Sequence, residues 1–173
     1  MRTRAERIAF GGVFTALAAV FSYVEALLPL NLGVPGIKPG FANIVTVFVL
    51  YRAGFLPALL VSIVRVVLVS AMFTGPAAAL YSLSGAAFSL CVMALLKKTG
   101  RFSVVGVSMA GGVFHNASQL AVAVAVTKTP LLISYLPVLI LAGMLTGIVI
   151  GFIARLVIAR IPRFSQEKTR GKS

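Results

Sequence analysis

Six apolar stretches alternate with short polar segments along the chain. They cover residues 8–28, 41–51, 55–73, 77–96, 104–126 and 136–161. Five of the six approach or exceed the roughly 20 apolar residues that an α-helix needs to cross a bilayer. The pattern therefore predicts an all-α integral membrane protein with six transmembrane helices in one domain, residues 1–162. A basic tail at 163–173 is predicted to be disordered.

The second stretch is short. Eleven residues of α-helix rise about 16 Å, roughly half the hydrocarbon thickness of a bilayer. A short helix among longer neighbours leaves a depression at one membrane face. The sequence that leads into it, PGIKPGFAN, places Lys38 and Asn43 at this depression. Lys38 has two interpretations, a loop lysine at the level of the lipid headgroups or a cation that lines the depression.

Composition and charge agree with a membrane protein and exclude a soluble domain. The chain is 60% hydrophobic and 11% charged, with a mean hydropathy of +1.05. Its net charge of +13 would indicate nucleic-acid binding in a soluble protein. Here the basic residues flank apolar stretches, which indicates anchoring in a lipid bilayer and no nucleic-acid partner. With six crossings and a cytoplasmic N-terminus, thirteen Lys and Arg residues lie inside and two outside, so both termini are predicted to be cytoplasmic.

Arg65 lies near the middle of the third stretch. An arginine at this depth costs about 2.5–3.5 kcal/mol on insertion scales, so it is expected to face protein or water. The one acid near the membrane, Glu25, lies towards the outer end of the first stretch, and side chains on the third helix lean the other way. We therefore expect Lys38, not Arg65, beside Glu25. Backbone carbonyls, the Ser62 hydroxyl or an anionic ligand remain as partners of Arg65, and both a structural role and a ligand-binding role stay open.

The fifth stretch contains the sequence HNASQ. His115, Asn116 and Gln119 fall within a 100° arc of an α-helix and form one polar stripe. Such a stripe either joins helices by hydrogen bonds or lines a cavity, and both interpretations stay open. With one histidine, one cysteine and no aspartate in the chain, neither a metal site nor a disulfide within the chain is expected.

Small residues recur every three or four positions on two of the predicted helices. This spacing allows close approach of helix backbones, within the chain or against a partner. The residues are Gly143, Gly147 and Gly151 on the sixth helix and Ala5, Ala9, Gly12 and Ala16 on the first.

The acid content bears on catalysis. Glu6, Glu25 and Glu167 are the acidic residues of the whole chain, and no carboxylate cluster is available to hold a catalytic Mg²⁺ ion. No GxxxxGK[ST] motif is present, so ATP-driven work would need a separate subunit. We expect a protein that is not an enzyme and that uses no cofactor.

Three motifs carry a resemblance: G-x-K-x-G-x-A-N at 36–43, S-x-x-R at 62–65 and H-N-x-x-Q at 115–119. Over about residues 7–153 the chain resembles the bacterial membrane family labelled Gx transporter or heptaprenyl diphosphate synthase component I. In size and number of helices this family is similar to the S components of energy-coupling factor (ECF) vitamin transporters. Such proteins bind solute near the outer face and dock, through small residues of the first helix, onto a membrane coupling protein driven by two ATPases.

The resemblance implies a bundle like that of an ECF S component in the bacterial inner membrane. Its function would be uptake of a small vitamin-like or anionic solute, for example a flavin or quinone precursor. The implied docking residues are Ala5, Ala9, Gly12 and Ala16. The expected ligand-binding residues are Lys38, Asn43, Arg65, His115, Asn116 and Gln119. The alternative is a membrane accessory subunit of heptaprenyl or polyprenyl diphosphate synthesis, because a chain without aspartate cannot supply the magnesium-binding motifs of such a synthase.

Overall fold

The structure, a computed structural model, describes residues 4–27 and 40–161, and in this part the chain is helical without strands. The predicted all-α class is confirmed. The predicted tail at 163–173 and Lys38 lie outside the described residues. A π-helical turn, Ser70–Thr74, and a 3₁₀ helix, Pro130–Tyr135, precede α4 and α6. The α-helices are α1 Arg4–Leu27, α2 Phe41–Arg52, α3 Phe55–Val69, α4 Gly75–Thr99, α5 Val104–Thr127 and α6 Leu136–Arg160.

Four helical stretches of the described chain are long and apolar enough to cross a membrane: Arg4–Glu25, Phe55–Thr99, Val104–Thr127 and Pro130–Arg160. The second of them has 45 residues, which as one straight helix would span about 67 Å, twice the hydrocarbon thickness. It is divided at Gly75, whose φ of 80° favours glycine. The two parts, α3 and α4, pack against each other. Helix α2 is apolar but shorter.

The six helices form a closed ring. Going round it, α1 packs on α2, α2 on α6, α6 on α5, α5 on α4, α4 on α3, and α3 on α1. Helix α2 also contacts α3 across the ring. Residues 45–50 of α2 are all buried, because neighbours surround this helix. The outer faces of the longer helices expose large apolar side chains such as Leu141 and Leu145, which suits contact with lipid.

The glycines of α6 pack within the chain. Gly143, Gly147 and Gly151 are buried against α5. A Cβ atom on Gly147 would lie 2.6 Å from the Cα of Met109, and one on Gly151 would lie 2.7 Å from the Cα of Val105. Real Cβ atoms do not approach backbone so closely, so only glycine permits this spacing of α5 and α6.

The small residues of α1 behave differently. Ala5, Ala9, Gly12 and Ala16 are all exposed. Apart from the backbone of its own helix, no atom of the described residues lies within 4 Å of the position that a Cβ would take on Gly12. This surface of α1 therefore packs against no other part of the described chain.

Basic side chains join three helix ends. Arg52, at the end of α2, donates from Nη2 to the carbonyls of Ile158 and Ile161 at the end of α6. Lys97, in the last turn of α4, donates from Nζ to the carbonyl of Leu50 at 2.6 Å. Cations at helix C-termini satisfy carbonyls that have no partner within the helix. The C-terminal ends of α2, α4 and α6 thus lie together at one end of the bundle.

Candidate functional site

A cavity of about 260 Å³ lies inside the ring, and all six helices contribute to its wall. Five of the six residues predicted to bind ligand line it: Asn43, Arg65, His115, Asn116 and Gln119. The sixth, Lys38, lies outside the described residues. Gly40, where the described chain resumes, is part of the wall. The structure thus brings together residues from α2, α3 and α5 that are far apart in the sequence.

Arg65 reaches across from α3 to α1. Its Nη1 donates to the Oγ of Ser22 at 3.1 Å, and Ser22 is buried. Its Nε is buried and has no hydrogen-bond partner among the described residues. The described partner of Arg65 is thus Ser22 and not Ser62, one of the three kinds of partner that the sequence left open. Because α1 packs directly on α3, the long side chain finds its hydroxyl on the neighbouring helix and not on its own.

Glu25 lines the same cavity as Arg65, although the sequence suggested that the two are separated. Ser22 and Glu25 are three residues apart on one face of α1. An arginine that reaches Ser22 is therefore near enough for the charges of Arg65 and Glu25 to interact. The Oε1 of Glu25 also accepts a hydrogen bond from the backbone N–H of Phe41, so this carboxylate caps the start of α2.

His115 and Gln119 occupy the space beside a glycine of α4. A Cβ atom on Gly85 would lie 2.8 Å from the Cγ of Gln119 and 2.9 Å from the Cε1 of His115. Gly85 is buried. Because position 85 has no side chain, His115 and Gln119 can lie directly against the backbone of α4, and a larger residue there would push them towards the cavity.

Asn116 joins helices as well as lining the cavity. Its Nδ2 donates to the carbonyl of Leu139 on α6 at 2.8 Å. The polar stripe was interpreted either as joining helices by hydrogen bonds or as lining a cavity, and each interpretation applies to different residues of the stripe. Asn116 links α5 to α6, whereas His115 and Gln119 face the cavity and α4. Asn43 reaches the wall from the first turn of α2.

None of the residues with hydroxyl groups on the wall is among the ligand-binding residues predicted from the sequence. An isolated serine or threonine in an apolar helix is common and carries little signal. Spacing offered a clue, because Ser82, Gly85 and Ser89 occur at i, i+3 and i+7 and so share one face of α4. The hydroxyl residues that line the cavity are Ser22, Ser70, Thr74, Tyr81, Ser82, Ser89, Ser108 and Thr146.

No grouping of three His, Cys, Asp or Glu residues within the described ranges could hold a metal ion. What the site offers chemically is hydrogen bonding and charge. The wall carries a guanidinium, a carboxylate, an imidazole, amides and hydroxyls inside an otherwise apolar bundle. This arrangement suits binding of a polar molecule.

Comparison with known proteins identifies the family of the chain. No curated protein and no solved structure matches the chain. The family described as heptaprenyl diphosphate synthase component I matches residues 14–157, which is most of the chain and includes the cavity-lining residues on all six helices. The chain therefore belongs to the heptaprenyl diphosphate synthase component I family.

Proposed function

We propose that the protein is a membrane transport protein that takes up a small polar solute through this cavity, in the manner of an ECF S component. The observation that carries the proposal is a guanidinium on the wall of a cavity within an apolar helical bundle. Ionisable residues inside membrane proteins are costly and usually mark a solute or ion pathway. The amides and hydroxyls around Arg65 supply the additional contacts that recognition of a polar solute needs.

The proposed topology is six crossings of the bacterial inner membrane with both termini in the cytoplasm. Supporting it, the ends of α2, α4 and α6 meet at one end of the bundle and carry basic residues there. The cavity extends from Glu25 and the start of α2 at Gly40, at the other end, down to Met93 on α4. It would then open to the outer face.

Cysteine labelling tests this topology. With Cys91 replaced by serine, we expect Lys98→Cys, in the last turn of α4, to react with an impermeant maleimide only in inverted vesicles. Lys128→Cys, after α5, should react only from outside the cell. Both positions are exposed in the structure. Labelling of both residues from the same side would contradict the proposed orientation.

The size and polarity of the cavity favour a small hydrophilic solute. Its volume of about 260 Å³ lies just below the range of roughly 300–1,000 Å³ typical of sites for drug-sized ligands. A polyprenyl chain is long and wholly apolar, and it would leave the polar groups of the wall without partners. The cavity therefore suits a solute better than the product of a prenyltransferase.

The exposed small residues of α1 support a partner in the membrane. Ala5, Ala9, Gly12 and Ala16 allow another helix to approach closely. In the proposed function this surface binds the coupling membrane protein, which in turn carries ATPase subunits. The glycines of α6 are not available for this purpose because they pack on α5.

Substitution of Arg65 tests the proposed site. We expect Arg65→Ala to remove a small molecule that copurifies with the wild-type protein, as measured by native mass spectrometry in detergent, while the variant remains folded. Arg155→Ala is the matched control, because Arg155 is exposed on α6 and does not line the cavity. An Arg65→Ala variant that retains the molecule at wild-type occupancy would show that Arg65 has a structural role.

The description of the family supports a second candidate function, a membrane accessory subunit of polyprenyl diphosphate synthesis. The whole chain contains three acidic residues, all glutamates, so a partner would have to supply the carboxylates that bind magnesium. Purification from native membranes with bound partners separates the candidates. Transport predicts a coupling protein and ATPases, whereas the accessory function predicts a prenyltransferase.

A further inference from the structure

The charges on the cavity wall bear on the class of solute, and this step rests on the proposed function. By formal charge, Glu25 is the negative and Arg65 the positive residue among the described lining residues, with His115 counted as neutral. The two opposite charges are near enough to interact. The described wall is therefore electrically balanced before a solute binds.

Arg65 has more hydrogen-bond donors than its described partners use. A guanidinium carries five N–H donors. Its Nη1 donates to the hydroxyl of Ser22 at 3.1 Å, whereas its buried Nε has no acceptor among the described residues. A buried donor without an acceptor is unfavourable. The wall thus favours a solute with a carboxylate, whose planar pair of oxygens matches a guanidinium.

Glu25 limits how much negative charge the solute can bring. It is buried and is held in place by the N–H of Phe41. A diphosphate would bring several negative charges close to this carboxylate. Like charges repel strongly away from bulk water. Among the described lining residues, Arg65 alone would not offset both the diphosphate and Glu25.

We infer that the solute is a zwitterion or a monocarboxylate, with its carboxylate against Arg65 and a hydrogen-bond donor or cationic group towards Glu25. Prenyl diphosphates and inorganic pyrophosphate are then not ligands of this cavity.

Isosteric variants test the inference. Glutamine at position 25 keeps an oxygen that can accept from the N–H of Phe41, so Glu25→Gln removes the charge and preserves the cap of α2. Wild type, Glu25→Gln and Arg65→Gln are purified from the same membranes, and the bound molecule is identified by native mass spectrometry and chromatography. Glu6→Gln is the matched control, because Glu6 is exposed at the start of α1.

We expect the wild-type protein to hold a molecule with a net charge of zero or minus one. Its affinity should fall at least tenfold in both Arg65→Gln and Glu25→Gln and stay unchanged in Glu6→Gln. Inorganic pyrophosphate and farnesyl diphosphate, added as probes, should neither displace it nor raise the melting temperature. In Glu25→Gln, pyrophosphate should bind more tightly than to wild type, because the repelling carboxylate is absent.

Two results would overturn the inference. The first leaves the proposed function standing, whereas the second contradicts it as well. A diphosphate bound to the wild-type protein, or displacement of its ligand by pyrophosphate, contradicts the charge argument and leaves solute binding intact. The second result is a wild-type protein that carries no small molecule and whose melting temperature is unchanged by amino acids, monocarboxylic acids and diphosphates. This result contradicts the proposed function as well.

Discussion

Gly85 controls the position of two cavity side chains, and Gly85→Ala should therefore weaken solute binding. The new methyl group would lie 2.8 Å from the Cγ of Gln119 and 2.9 Å from the Cε1 of His115. Carbon atoms in favourable contact are about 3.5–4.0 Å apart. The two side chains must consequently move by roughly 1 Å, either into the cavity or together with a shift of α5 away from α4.

The expected magnitudes follow from that displacement. Overpacking of this kind costs about 1–3 kcal/mol of stability, of which the better helix propensity of alanine returns up to about 1 kcal/mol. For binding, a displacement that costs about 1.4 kcal/mol corresponds to a tenfold increase in Kd. We therefore expect the Kd for solute to rise about tenfold. We expect the free energy of unfolding to fall only modestly.

The assay compares two glycine-to-alanine variants. Gly11→Ala is the control, because no atom of the described residues, apart from the backbone of α1 itself, lies within 4 Å of the Cβ position of Gly11. Binding is measured by titration with the copurified molecule, and stability is measured by SDS-induced unfolding in dodecyl maltoside. Gly11→Ala should bind like wild type and be equally or more stable. If Gly85→Ala gives the same two results as Gly11→Ala, the argument that Gly85 positions His115 and Gln119 is wrong.

Two further predictions concern packing away from the cavity. Gly147→Ala places a Cβ 2.6 Å from the Cα of Met109, so α5 and α6 must separate, and we expect a loss of about 1–3 kcal/mol in SDS unfolding; stability equal to wild type would contradict the tight contact. Arg52→Gln removes the cation that binds the carbonyls of Ile158 and Ile161. It should lower the melting temperature while leaving the Kd for solute within about twofold, and a large change in Kd would show that the two ends of the bundle are coupled.

The fold and part of the cavity could be predicted because both follow from simple rules. Apolar length predicted the helices, and the break between the third and fourth stretches falls at Gly75, where the chain needs a positive φ. Arg65, His115 and Gln119 were recognisable because polar side chains inside apolar helices need partners. These residues differ so strongly from their neighbours that no tertiary information was required to select them.

Contacts between distant helices were not predictable in the same way. Nothing in the sequence around Ser22 indicates its role, because its hydroxyl reaches Arg65 only through the packing of α1 on α3. The sequence places Glu25 and Arg65 at different depths because each residue is counted along its own helix. That count does not include the angle at which α1 and α3 cross. The glycines of α6 and the small residues of α1 have similar spacing, and only the structure distinguishes the buried set from the exposed one.

The short length of α2 is related to the position of the cavity. Lys97 binds the carbonyl of Leu50, which sets the end of α2 level with the last turn of α4. From Leu50 back to Gly40 the helix rises about 15 Å, whereas α4 continues from Lys97 for about 33 Å to its first residue. Beyond Gly40, α4 therefore runs on without α2 beside it, and Tyr81 and Ser82 line the cavity at that level. A longer α2 would place more of its own side chains at this level, so a helix of only 12 residues favours an open cavity between the longer helices of the described chain.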